Sequence, residues 1–227
     1  MPQSNSGLVS RLLAVYAKDL RVELRTRYAL SAILMFGITS LAVVSFSLGQ
    51  AGLSPSVLAA LLWIVMFFSA TAGLAQAFVR EEESGTGLTL RLKADPDAVY
   101  WGKLFYNVTL LVLMALIIVP LFFAFTDAAS EQPTALVVLV ALGVIGLCAA
   151  MTLVGAIVAR AAFRGALFAV LAFPVLIPLL LGLISGTAKV LGGQGLAAAW
   201  AEVRFLLAYG VVMITGSVLL FRFVWKD

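Results

Sequence analysis

Polar segments and long apolar runs alternate along the chain, and the lengths of the runs decide its class. Apolar stretches at about 29–48, 56–79, 104–125, 134–159, 166–186 and 205–222 each come close to 20 residues or exceed it. That length crosses a hydrocarbon layer about 30 Å thick at a helical rise of about 1.5 Å per residue. Six transmembrane helices are predicted. Ahead of them, residues 8–27 carry apolar side chains at helical spacing: Val9, Leu12, Leu13, Tyr16 and Leu20 share one face, with Arg11, Lys18 and Arg25 opposite. This is the pattern of an amphipathic helix. Glu23 interrupts its stripe and requires a partner or an edge position. Two readings stand for this segment: a helix lying along the membrane surface, or a helix docked on a partner. The chain thus divides into an N-terminal tail with an amphipathic interfacial helix (1–28) and a six-span domain (29–227).

Composition agrees with this class. The 227 residues are 63% hydrophobic and 11% charged, with a mean hydropathy of +1.12, whereas soluble domains carry about 25% charged residues. The fold class expected is an all-α integral membrane protein. Of the Lys and Arg residues, all but Lys189 and Arg204 fall on one side of the six spans. The excess of basic residues in cytoplasmic loops assigns that side, and both termini, to the cytoplasm. The net charge of +4 therefore reports topology, and no basic patch interleaved with aromatics points to nucleic acid. A cleaved leader is not expected, because the first 28 residues are polar or amphipathic. Tyr28, Tyr100, Trp101, Trp200 and Trp225 fall near span ends, as interfacial anchors do.

Several chemistries are disfavoured. The six apolar cores hold no Asp, Glu, Lys or Arg, so no group for tapping an ion gradient is evident. Histidine is absent, which removes the commonest general base and metal ligand. The single cysteine, Cys148, allows no intrachain disulfide or metal spacing and reads as a small buried residue. No phosphate-binding G-x-x-x-x-G-K-[ST] loop occurs. The chain is not expected to be an enzyme by itself, and any energy must enter from another subunit.

One polar island stands out between spans two and three, residues 79–103, VREEESGTGLTLRLKADPDAVYWGK. Glu81, Glu82 and Glu83 follow a span end, where the helix dipole disfavours acidic side chains. Gly85 and Gly87 end the helix and free the chain to turn. Leu88, Leu90 and Leu92 follow among polar residues, then Asp95-Pro96 as cap and first helical position, with Lys103 expected near the headgroups. The order is helix, break, short amphipathic element, break, helix, which suits a lever moved by a soluble motor. In span five, Pro174 and Pro178 each remove a backbone donor; a static kink and a hinge are both open. The outer segment 185–204 has a glycine-rich start and a weakly amphipathic second half; a short helix on the outer face or dipping into it is one form open to it.

The acidic, Gly-Thr, leucine-bearing, Pro, Lys order of this island resembles the loop between spans two and three of exporter-type permeases of the ABC-2 superfamily. Within it, KDLRVELRTRYALSAIL (18–34), LLWIVMFFSA (61–70) and FPVLIPLLL (173–181) are similar to the CcmB family, haem exporter protein B of the cytochrome c maturation ABC transporter. The resemblance runs from about residue 10 to 225. It implies a permease subunit of the bacterial inner membrane that couples a partner ATPase to haem export or to release of a haem-loaded carrier. The partners implied are an ATPase subunit of the CcmA kind, CcmC-like and CcmE-like maturation proteins, the lipid bilayer and a second permease copy. No cofactor is assigned to this chain; ATP enters through the partner, and haem is a candidate cargo. The implied coupling loop comprises Glu81, Glu82, Glu83, Gly85, Thr86, Leu90, Pro96 and Lys103, with Pro174 and Pro178 as a candidate hinge. A lipid or polysaccharide exporter permease and a non-transporting scaffold are the alternatives.

Overall fold

Where the sequence alternates, the chain folds back and forth as helices. The computed structural model describes residues 5–48, 53–74, 95–128, 130–158 and 164–226. Seven helices occupy them, with no strand among the described residues: α1 (Asn5–Thr26), α2 (Tyr28–Leu48), α3 (Pro55–Leu74), α4 (Pro96–Thr126), α5 (Pro133–Val158), α6 (Arg164–Leu191) and α7 (Trp200–Lys226). The last six are long and apolar enough to cross a membrane, as the apolar runs predict.

Helix α5 forms the centre of the bundle, packed against α3, α4, α6 and α7, while α2 lies over α3 and α4. Its glycines let neighbours approach. Trp63 of α3, fully buried, lies where a Cβ on Gly143 would stand, and its indole Nε1 donates to Thr187 Oγ1 of α6 at 2.9 Å. Lipid tails are as apolar as leucine, so close packing and interhelical hydrogen bonds have to hold such helices together. Cys148 is buried in α5 as expected.

The boundaries agree with the sequence expectation at the start of α4 and add detail around α6. Helix α4 begins at Pro96, eight residues before the apolar run, because Asp95 caps it: the side chain accepts from Asp97 N at 3.2 Å with Pro96 in the first turn. The cap and the proline were legible. About two turns, residues 96–103, continue into the span as one helix, as the cap and the proline predict. The segment 185–204 holds no separate surface helix. Instead α6 runs on to Leu191, and a tight turn through Gly193 (φ +80°) and residues 196–199 leads into α7. Lys189 closes that corner on Glu202 Oε1 at 2.7 Å and on the Ala198 carbonyl at 3.2 Å. The prolines at 174 and 178 leave α6 continuous from Arg164 to Leu191. Beside them the Tyr209 hydroxyl of α7 donates to the Val175 carbonyl at 2.8 Å, which ties α7 to the proline-bearing stretch of α6.

Candidate coupling site at the base of α4

Helix α1, the end of α7 and the start of α4 meet at one end of the bundle, the basic end. There the first two turns of α4 project past the apolar run and, with the two turns that follow, gather three other helices. Helix α1 crosses α4 rather than running along it. Val15, Asp19, Glu23 and Tyr16 follow one another round the circumference of α1 at about 100° per residue. In that same order they meet Gly102, Lys103, Tyr106 and Thr109 along α4. Such a progression is possible only if the two axes cross steeply, which lays α1 across the bundle's end.

Each contact has a distinct chemistry. Gly102 permits the approach: a Cβ there would stand 2.8 Å from Val15 Cβ and 3.1 Å from the Leu12 carbonyl oxygen. Lys103 does not reach toward headgroups as the sequence suggested. Its side chain is fully buried, and Nζ lies 3.3 Å from Asp19 Oδ2. The reason is α1, which covers the position with a carboxylate that no hydropathy profile places there. Asp19 also lies 3.2 Å from Lys18 Nζ.

Glu23, the residue that spoiled the stripe, joins three helices. One carboxylate oxygen accepts the Leu30 N–H in the first turn of α2 at 2.8 Å, and the other accepts the Tyr106 hydroxyl of α4 at 3.2 Å. A carboxylate at a helix N-terminus satisfies an otherwise unpaired donor and complements the dipole. The corner between α1 and α2 is thereby reduced to Arg27, held at φ +52°, a conformation that L residues adopt only when their surroundings impose it. The amphipathic stripe itself is divided. Leu12 and Tyr16 turn partly toward α4, whereas Val9 and Leu13 stay exposed. Docking on a partner is not what this face of α1 does: it packs on the chain's own α4.

The third helix is α7. Arg222 grips Asp97 with two nitrogens, Nε to Oδ1 at 2.9 Å and Nη2 to Oδ2 at 2.7 Å. The Tyr100 ring lies 5.5 Å from that of Phe221. Tyr100 is therefore buried in the α4–α7 contact rather than anchored at an interface, unlike the exposed Tyr28 and Trp200. Deeper in, Asn107 Nδ2 donates to Thr152 Oγ1 of α5 at 2.8 Å, and that hydroxyl donates to the Cys148 carbonyl at 2.6 Å.

Of the coupling loop expected from sequence, Pro96 and Lys103 belong to this assembly. Glu81, Glu82, Glu83, Gly85, Thr86 and Leu90 lie outside the described residues. Asp19, Glu23, Tyr106, Asp97 and Arg222 were not singled out as site residues from sequence. Only Glu23 carried a signal there, as a charge within an apolar stripe.

What the arrangement can do is mechanical. A displacement of the first turns of α4 would be carried to α1 by an ion pair and a hydrogen bond, onward from Glu23 of α1 to α2 by a cap, and to α7 by a bidentate clamp. No group of three or more His, Cys, Asp or Glu placed to hold a metal ion occurs among the described residues. Compared with known proteins, the chain matches the family model described as CcmB protein over residues 10–224. No curated protein matches it.

Proposed function

The chain belongs to the CcmB family, and from that premise we propose that it is the membrane permease subunit of an ATP-driven ABC transporter serving cytochrome c maturation. A separate ATPase subunit supplies the energy, and it docks on the basic end, which faces the cytoplasm of a bacterial inner membrane. The charge distribution supports that side: the two basic residues at the other end are Lys189 and Arg204, and Lys189 is neutralised by Glu202. The observation that carries the reading is the convergence of α1, α2 and α7 on the base of α4. The polar island 79–103 leads into that base, so a motor that moves the island moves three helices at once. Pro174 and Pro178 supply the flexing point in α6.

For the cargo, release of a haem-loaded carrier is favoured over passage of haem through this chain. With no histidine in the sequence, the commonest neutral axial ligand to haem iron cannot come from here. A second copy of the permease and partner maturation proteins complete the complex.

The test is reconstitution with an ATPase subunit of the CcmA kind. Reversing the loop charge with Glu81→Lys and Glu83→Lys is expected to abolish co-purification of the ATPase or its stimulation by the permease. Unchanged binding and unchanged activity would remove the coupling role. In cells lacking this gene, holo-cytochrome c is expected to disappear and apocytochrome to remain; normal holo-cytochrome levels would refute the maturation role.

A further inference from the structure

The fold accounts for one face of α1 and leaves a second one uncovered. Val9, Leu13, Leu20 and Leu24 lie beside the docked face at about 100° per residue. Val9, Leu13 and Leu24 are 53%, 54% and 67% exposed. Arg25 and Lys18 occupy the side opposite that stripe, with Arg21 next to them. Arg21, Arg25 and the corner residue Arg27 are exposed and form no ion pair among the described residues.

The contacts with α4 give these faces a direction. Residues of α4 lie deeper in the bundle as their number rises. Passing round α1 from Val15 through Asp19 and Glu23 to Tyr16 therefore descends from Gly102 to Thr109. Continuing past Tyr16 in the same sense comes next to Val9, Leu20, Leu13 and Leu24. The uncovered stripe thus points toward the depth of the apolar bundle, Arg25 points away from it, and Arg21 lies to the side between them, on the flank away from α4. A helix lying across the spans, apolar below and basic above, has the profile of a surface that binds the boundary of an anionic bilayer.

We infer that α1 is a docking surface for anionic phospholipid: the stripe Val9–Leu13–Leu20–Leu24 rests in the acyl boundary, and Arg21, Arg25 and Arg27 hold headgroup phosphates. Lipid is the occupant because apolar and basic faces are arranged by depth. A soluble partner would require the stripe to face away from the bundle. The surface is independent of the cargo and of any ATPase. It makes the clamps at Asp19, Glu23 and Gly102 dependent on lipid charge, since the same rigid helix carries both faces.

The test uses the full-length protein in nanodiscs of phosphatidylcholine, with or without phosphatidylglycerol, carrying a spin label at Leu13→Cys or Leu24→Cys in a Cys148→Ser background. Two sites guard against one variant failing to fold. Both labels are expected to be relaxed by oxygen and protected from a water-soluble nickel chelate, more strongly with phosphatidylglycerol present. Native mass spectrometry is expected to show retained phosphatidylglycerol falling roughly fivefold for each of Arg21→Gln and Arg25→Gln, the effect of one basic group at an anionic surface. Labels open to the nickel chelate in both lipids would overturn the inference. So would anionic-lipid retention unchanged in the Arg21→Gln, Arg25→Gln double variant. Shielding that arises only after the ATPase is added would assign the stripe to a protein partner instead, and would also overturn it.

Discussion

Lys103 and Asp19, 84 residues apart in sequence, face each other at 3.3 Å across the α1–α4 crossing, with the lysine side chain fully buried and the aspartate 12% exposed. A buried ammonium tolerates little loss of its counter-charge. Replacing Asp19 by asparagine is therefore expected to destabilise the protein by about 3 kcal/mol, the low end for breaking a buried pair, because Asp19 keeps some contact with solvent. Thermal unfolding in detergent micelles measures it. Adding Lys103→Met to the Asp19→Asn variant is expected to recover part of the loss; a further drop would show that Lys103 is held chiefly by other groups.

The bridge at Glu23 makes a separable prediction. Glu23→Ala removes the cap on α2 and leaves the Tyr106 hydroxyl without this acceptor. The expected cost is about 2 kcal/mol, roughly half from each loss. Tyr106→Phe removes only the α4 half and is expected to cost about 1 kcal/mol. In a double-mutant cycle the two should couple by about 0.5 kcal/mol or more. Strict additivity would mean that the hydrogen bond contributes nothing to holding α1 on α4.

Gly102 and Gly7 should respond in opposite directions to the same substitution. At Gly102 a new Cβ meets Val15 Cβ and a backbone carbonyl of α1, neither of which can rotate away. Gly102→Ala is expected to push α1 off α4 and to cost about 1–3 kcal/mol as an overpacked contact. At Gly7, on the first turns of α1, a Cβ meets nothing within 4 Å, and alanine is expected to be neutral or stabilising by up to about 1 kcal/mol. Limited proteolysis of α1 reads both: faster cleavage for Gly102→Ala and no acceleration for Gly7→Ala.

Arg222 and Asp97 form a bidentate pair, but Arg222 is 54% exposed. Exposed pairs contribute little to stability and are screened by salt. Arg222→Gln is expected to leave the unfolding midpoint unchanged while raising hydrogen exchange in the last turns of α7. Wild-type protein at high ionic strength should show the same rise. A clear fall in the midpoint would mean that the clamp contributes to global stability as well as to holding α7.

Tyr209→Phe removes the hydroxyl beside the proline turns of α6. Interhelical hydrogen bonds in membranes average about 0.6 kcal/mol, and a loss of that size is expected here. If the bond restrains a hinge, Tyr209→Phe also changes transport-coupled ATPase activity more than it changes stability. Equal effects on both would favour a static kink.

The sequence by itself determined the class, the number of spans and the start of α4. Those features rest on local physics: run length against bilayer thickness, charge-free cores, and an Asp-Pro cap that acts within one helical turn. It also exposed Glu23 as a residue in need of a partner. The partner itself, and the pairing of Asp19 with Lys103 and of Asp97 with Arg222, depended on which helices cross at the base of α4. Side chains 83 to 125 residues apart come together through packing of whole helices, and nothing in the neighbourhood of either residue encodes that crossing. The same holds for α1: periodicity showed an amphipathic helix, but only α4, projecting beyond the apolar run, decided which part of its stripe is spent on protein and which part remains for lipid.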